Sequence, residues 1–244
     1  MKLKLLLLSA IIGINVLSCC PMNKNEHMIL TQWKAGETVS WQSVEAYGVD
    51  NCFCAQEIDD GIFGRIKGRS YGDDCTIPLS ELRYIKVLHY DIDENIVLGE
   101  MICNCAVSDD LLDIFRSLFE AHYPIERMVL VDEYDADDEK SMTANNSSCF
   151  NFRFISGTNR LSNHSMGLAV DINPLYNPYV RQADGKIVVE PAVAGEYADR
   201  TATFRYKIDR DDLCCRKFIE HGFEWGGDWT TRKDYQHFEK TANR

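Results

Sequence analysis

Four side chains in this sequence combine the residue types and spacing needed for hydrolytic metal chemistry: His164, Asp171, Asp234 and His237. The first two fall in Ser162-Asn163-His164-Ser165-Met166-Gly167-Leu168-Ala169-Val170-Asp171, the others in Asp234-Tyr235-Gln236-His237-Phe238-Glu239. Two imidazoles and two carboxylates from segments about seventy residues apart suit one zinc ion held by three protein donors, with a fourth position open. His164, Asp171 and His237 are the candidate ligands. Gly167 lies between the first two, and without a Cβ the backbone there can turn tightly enough to bring both side chains to one point. Asp234, three residues before His237, can serve as the general base that a Glu provides in H-E-x-x-H enzymes, or it can orient His237. The helical H-E-x-x-H motif itself is absent.

The elements that must position these residues are partly legible. Tyr84–Tyr90 and Ile96–Cys103 are strand-like runs joined by the turn-forming Asp91–Asn95, a hairpin pattern. A helix follows from Ser108, with Asp109 and Asp110 at its positive end and Leu111, Ile114, Phe115, Leu118 and Phe119 as its buried stripe. Met128–Tyr134 and Phe150–Phe154 have the composition of strands, the latter with Arg153 on one face. Met166–Asn173 is expected to be a central strand ending near Asp171, and Ile187–Val189 a short one. Asp209 would cap a helix with Cys214, Cys215, Phe218 and Ile219 inward and Gly222 as its stop. Tyr235–Glu239 reads as a closing strand. Hairpins and helices without regular βαβ alternation predict an α+β fold: a single compact domain with a small antiparallel sheet flanked by helices, the zinc site on the sheet face.

Composition narrows the function. The 244 residues can bury one full core. The formal charge of −12, with 38 acidic against 26 basic residues, excludes a nucleic-acid binder. Residues 1–18 read as an export signal, with Lys2 and Lys4 before the apolar Leu5–Leu17. Its end, Val16-Leu17-Ser18-Cys19, resembles the bacterial lipoprotein processing box, with Cys19 as the lipidated residue; an ordinary signal peptide cut nearby is the alternative. Removing Lys2 and Lys4 takes the charge to −14. Residues 19–40 would be a flexible tether, 41–80 a loop-rich N-terminal extension packed on the catalytic domain, and 81–244 that domain. Export permits disulfides among Cys52, Cys54, Cys75, Cys103, Cys105, Cys149, Cys214 and Cys215, which otherwise are buried thiols or, for the two C-x-C pairs, a structural zinc site.

Ser162-x-His164-x-x-Gly167-x-Ala169-x-Asp171, followed by Trp225-Gly226-Gly227-Asp228-Trp229 and Asp234-x-x-His237-Phe238-Glu239, resembles the D-alanyl-D-alanine carboxypeptidase (VanY-like) family of zinc peptidases, in particular its L-alanyl-D-glutamate endopeptidase branch. The resemblance spans about residues 125–240. It implies one zinc ion on His164, Asp171 and His237, Asp234 as catalytic carboxylate, and Arg153 in place of the arginine that polarises the substrate, with Arg160 as competitor. The family's usual Ser-Gly-Tyr-Arg-Ser-type segment is Asn151-Phe152-Arg153-Phe154 here, and the stretch after Pro174 is an elaboration. Ser162 belongs to the motif and is counted with the substrate-binding candidates. Trp225 and Trp229 either line the substrate groove or belong to the core. The resemblance implies hydrolysis of peptidoglycan stem peptides, and the leader with Cys19 would make the enzyme, taken as a monomer, an exported, membrane-anchored one facing the periplasm or cell surface. A non-catalytic, zinc-containing lipoprotein that binds those peptides is the alternative.

Overall fold

The Tyr90/Ile96 hairpin forms the centre of the first sheet in the computed structural model, which describes residues 23–155, 158–183 and 185–241. Strand β3 (Leu82–Tyr90) pairs antiparallel with β4 (Ile96–Asn104) through nine register partners, from Leu82↔Asn104 to Tyr90↔Ile96. Asp91 fixes the turn: its carboxylate accepts from the backbone N–H groups of Asp93 and Asn95 and from the Asn95 side chain. All nine residues of β4 are buried, so both faces of this strand are covered. Helix α4 (Ser108–Glu120) packs on the hairpin with Leu111, Ile114, Phe115, Leu118 and Phe119 inward, as its periodicity predicts.

The N-terminal residues correct the sequence reading. Residues 24–40, expected as part of a tether, contain helix α1 (Lys24–Gln32) and strand β1 (Thr38–Val39). Ile29, Leu30 and Trp33 are buried there, and the Trp33 indole N–H donates to the Gly99 carbonyl. The apolar residues are too few to show a period, yet each finds the hairpin. Residues 41–80 contain helix α2 (Trp41–Tyr47), strand β2 (Cys54–Glu57) and helix α3 (Asp60–Ile66). Strands β1 and β2 are the two edges of a sheet ordered β1-β4-β3-β2, so this stretch is built into the domain rather than laid on it. The leader, Cys19 and the first residues of the expected tether lie outside the described residues. Among the described residues no helix is long and apolar enough to cross a membrane.

Behind α4 the chain makes helix α5 (Asp138–Thr143) and strand β5 (Ala169–Asp171), then β6 (Tyr179–Ala183) and β7 (Lys186–Glu190). It ends with helix α6 (Leu213–Glu220), β8 (Glu224–Trp225), β9 (Arg232–Asp234) and β10 (His237–Glu239). Two small antiparallel sheets result, ordered β5-β10-β8 and β7-β6-β9. This is the α+β architecture expected, with three small sheets where one was foreseen. Met128–Tyr134 is not a strand. The Asn146 side chain bonds both the N–H and the C=O of Val129, taking a partner strand's place, and Val131–Tyr134 winds into a 3-10 turn. Phe150–Phe154 likewise forms only a bridge from Phe154 to Leu161. Asp212, rather than Asp209, caps α6 by accepting from the Cys214 N–H. The eight cysteines of the described residues are all free thiols.

Burial also leaves a titratable group inside the first sheet. His89 is buried, its Nδ1 bonds the Ile125 carbonyl, and its Nε2 has no partner. Burial pulls its pKa down to about 4. The unfolded chain takes up a proton near the ordinary value of 6.5, so stability contributed by neutral His89 is complete above that pH and is lost as pH falls toward 4. The loss should approach about 3 kcal/mol. Urea unfolding at pH 7 and pH 5 should show a steeper fall for the native chain than for His89→Gln; parallel falls would contradict this.

Candidate active site

Residues 163–171 place the first two candidate ligands by a fastened turn. Asn163–Met166 is a single 3-10 turn capped by Ser162, whose hydroxyl accepts from the His164 N–H. Gly167 closes it at φ +66°, and a Cβ there would lie 2.6 Å from the Asn104 nitrogen. Only glycine allows this approach, and it lets the Asn104 N–H donate to the Gly167 carbonyl at 2.8 Å. The turn is thereby tied to the end of β4. Strand β5 follows, with Asp171 bonded through its backbone to Ser148 on one side and standing opposite His237 of β10 on the other. Directly opposed residues of an antiparallel pair share a face, so the register itself brings the carboxylate to the imidazole.

The three candidate ligands converge. His237 Nδ1 lies 3.0 Å from Asp171 Oδ1 and 3.2 Å from His164 Nε2, and His164 Nε2 lies 3.3 Å from Asp171 Oδ2. The two Asp171 contacts use different carboxylate oxygens, and one donor atom from each of the three residues lies within 4.8 Å of the others, against roughly 3.4 Å between donors about 2.1 Å from a tetrahedral zinc, so a small closing movement would seat the ion. All three residues are buried. The tautomers suit it as well. His164 Nδ1 is 2.7 Å from the Cys149 carbonyl and donates there, which leaves the Nε2 lone pair free; His237 Nε2 is 3.0 Å from Glu239, which leaves Nδ1 free. Glu239 is itself held by the Asn163 amide at 2.6 Å.

The electrostatics favour a cation. Burial alone would raise the Asp171 carboxyl, but His164 and His237 outweigh it and hold it far below the usual carboxylate range. Burial opposes protonation of His237, yet the hydrogen bonds it donates to Asp171 and Glu239 lift its pKa to about 10. Asp234 differs: burial raises its pKa to about 7, with Asp171 adding to the effect and His237 opposing it. Its Oδ1 is sealed from solvent and has no hydrogen-bond partner, although nearby imidazoles could donate. Gly226 makes room for it, because a Cβ there would lie 2.6 Å from the Asp234 carbonyl oxygen.

The other sequence candidates are not gathered so closely. The Arg153 guanidinium pairs with Asp138 of α5, while its backbone bonds Ser162 and Ser165. Arg160 is exposed in the bend that follows. Ser162 shapes the His164 turn. Trp225 is buried core, its indole N–H donating to the Tyr235 carbonyl, which decides against a groove position. Trp229 is half-buried with its ring 5.3 Å from that of His237. Glu239 and Asn163 were quoted only as parts of motifs; the His-x-Glu spacing, which puts both side chains on one strand face, was the available signal for Glu239.

Comparison with known proteins agrees with this geometry. Residues 156–240 match the model of a family described as D-alanyl-D-alanine carboxypeptidase. The match contains His164, Asp171, Asp234 and His237, excludes Arg153, and supports the family read from the motifs. It also supports a metallopeptidase of the zinc-dependent, cell-wall type. No curated protein and no solved structure matches the chain.

Glu239 fixes the His237 tautomer, and loss of such a partner costs about 10- to 100-fold in metal affinity. Glu239→Gln should therefore weaken zinc binding by about tenfold or more in chelator competition, measured on variant protein that remains folded without metal. Unchanged zinc affinity would show that Glu239 does not orient the ligand.

Proposed function

We propose that the chain is a zinc-dependent hydrolase of peptidoglycan stem peptides, cutting the L-Ala–D-Glu bond or releasing a terminal D-Ala. The observation that carries this reading is the pairing of the donor triangle with Asp234, a carboxylate next to it whose Oδ1 has no structural partner. Structural carboxylates in a protein interior are normally hydrogen-bonded. An orphan oxygen beside a metal-competent cluster is what proton transfer requires.

Zinc held by His164, Asp171 and His237 would polarise the scissile carbonyl and lower the pKa of water. Burial raises the Asp234 pKa, and a zinc ion beside it would favour the carboxylate, the form that accepts a proton. As carboxylate it takes the proton of the attacking water, and as acid it returns that proton to the leaving amine. Water adds to the carbonyl carbon, the C–N bond breaks, and acid and amine leave. Glu239 and the Cys149 carbonyl keep the two imidazoles oriented throughout. Trp229 stands beside His237, with ring centres 5.3 Å apart. Arg153 is the candidate for steadying the carbonyl oxygen, and its present partner Asp138 would have to yield it.

Export through residues 1–18 and a lipid on Cys19 belong to the same proposal, since they would put a monomeric enzyme where cell-wall peptides are. Replacing Asp234 by Asn should lower hydrolysis of purified muropeptides by at least about 100-fold while zinc stays at one per chain. Loss of zinc, or full activity, would remove Asp234 from the proton-transfer role. Product masses separate the reactions: loss of one alanine marks a carboxypeptidase, and cleavage between L-Ala and D-Glu an endopeptidase. Binding of muropeptides by the zinc-loaded native protein without turnover would replace the enzyme with a binding protein.

A further inference from the structure

The stretch after Pro174 supplies more than an elaboration. Its strand β6 pairs antiparallel with β9, the strand that ends in Asp234. The register sets Tyr179 opposite Asp234 and Arg181 opposite Arg232. Residues two apart on a strand share a face, as do directly opposed residues, so Tyr179, Arg181, Arg232 and Asp234 all occupy one face of the β7-β6-β9 sheet. Burial raises the pKa of the Tyr179 phenol, which also feels the charges of Arg232, Arg181, Asp234 and Glu190.

Two arginines directly opposite each other repel. Such pairs are normally relieved by a neighbouring carboxylate, yet among the described residues neither Arg181 nor Arg232 has a carboxylate within ion-pair distance, and both are exposed. The carboxylates on the same face, Glu190 and Asp234, both stand opposite Tyr179 and neither is within ion-pair distance of the two arginines, which stay free to take an anion. The pair also adjoins the metal cluster. The Arg232 guanidinium lies 4.5 Å from the Trp229 ring centre, which is 5.3 Å from that of His237. Arg232 is therefore within about 10 Å of the His237 ring. In a peptide the α-carboxylate of the residue after the scissile bond is roughly 4 Å from the carbonyl carbon under attack.

We propose that Arg181 and Arg232 form a carboxylate-binding subsite that recognises the free α-carboxylate of the residue whose amine is released. The inference rests on the peptidase reading and narrows its substrate. Both candidate reactions present such a group: a terminal D-Ala has one, and a D-Glu linked onward through its γ-carboxyl keeps its α-carboxylate free. Paired charged hydrogen bonds of guanidinium to carboxylate give both strength and direction. Tyr179 and Trp229 would wall the same subsite.

Equilibrium binding to the zinc-loaded full chain provides the test, using D-Ala and the dipeptide γ-D-Glu-L-Lys as probes, each with its α-carboxyl free or amidated. At least one free acid should bind about tenfold or more tightly than its amide. That ratio should fall about threefold in Arg181→Gln or Arg232→Gln and approach one in the double variant, with zinc content and unfolding midpoint unchanged. Preference for D-Ala points to the carboxypeptidase reaction, preference for γ-D-Glu-L-Lys to the endopeptidase. Equal binding of acid and amide by the native protein, or a ratio that survives the double substitution, overturns the subsite. Loss of the ratio in the variants of a protein that hydrolyses no muropeptide would uphold the subsite and overturn the peptidase reading, so the two failures are distinguishable.

Discussion

The site depends on a register: His237 of β10 stands directly across from Asp171 of β5. Because side chains alternate with period two, a slip of one residue would send one member of the pair to the opposite face. Phe238 would then face the site in place of His237. Phe238 instead is buried, stacked on Phe218 of α6 with ring centres 4.2 Å apart and paired across the strands with Trp225. Core packing on one face of β10 thus holds His237 on the other face, opposite Asp171. Glu239, two residues on, returns to the ligand side and reaches His237 for the same reason.

The neighbouring elements serve that register. Gly167 lets the His164 turn approach the backbone of β4, which ties the ligand to the long buried hairpin. Gly226 lets β8 and the turn after it close over Asp234. Each is a place where any Cβ would collide with backbone. The N-terminal strands β1 and β2 complete the hairpin's sheet and so support the site at one remove, through β4 and Asn104. The insertion acts from the other side: β6 holds β9, and Arg200 fastens the insertion by donating to the carbonyls of Tyr176 and Ile208 and to the Asn177 side chain. Its guanidinium also lies 4.3 Å from the Tyr235 ring centre.

The legible parts of the sequence were those governed by local rules. His164, Asp171 and His237 could be singled out because metal ligation needs particular residue types, and the hairpin and α4 because their apolar periods are long and clean. What escaped depended on partners distant in sequence. The stretch from Lys24 to Val39 has no period, and its burial follows from β4 being present to receive it. Met128–Tyr134 has the composition of a strand, but the Asn146 side chain satisfies Val129 and removes the need for one. The carry-over of Arg153 met Asp138, a partner no motif discloses. Arg181 and Arg232 acquire meaning only when the β6–β9 register sets them side by side.

Two imidazoles and a carboxylate would hold one ion in a chain that also carries eight free thiols among its described residues. Zinc-edge X-ray absorption of the zinc-loaded protein separates these donors directly, because nitrogen and oxygen bind at about 2.0–2.2 Å and thiolate sulfur at about 2.3 Å. The account predicts one zinc per chain with a shell of nitrogen and oxygen donors only, including the outer scattering of two imidazole rings. A sulfur shell, or the loss of both imidazole signatures, would contradict it.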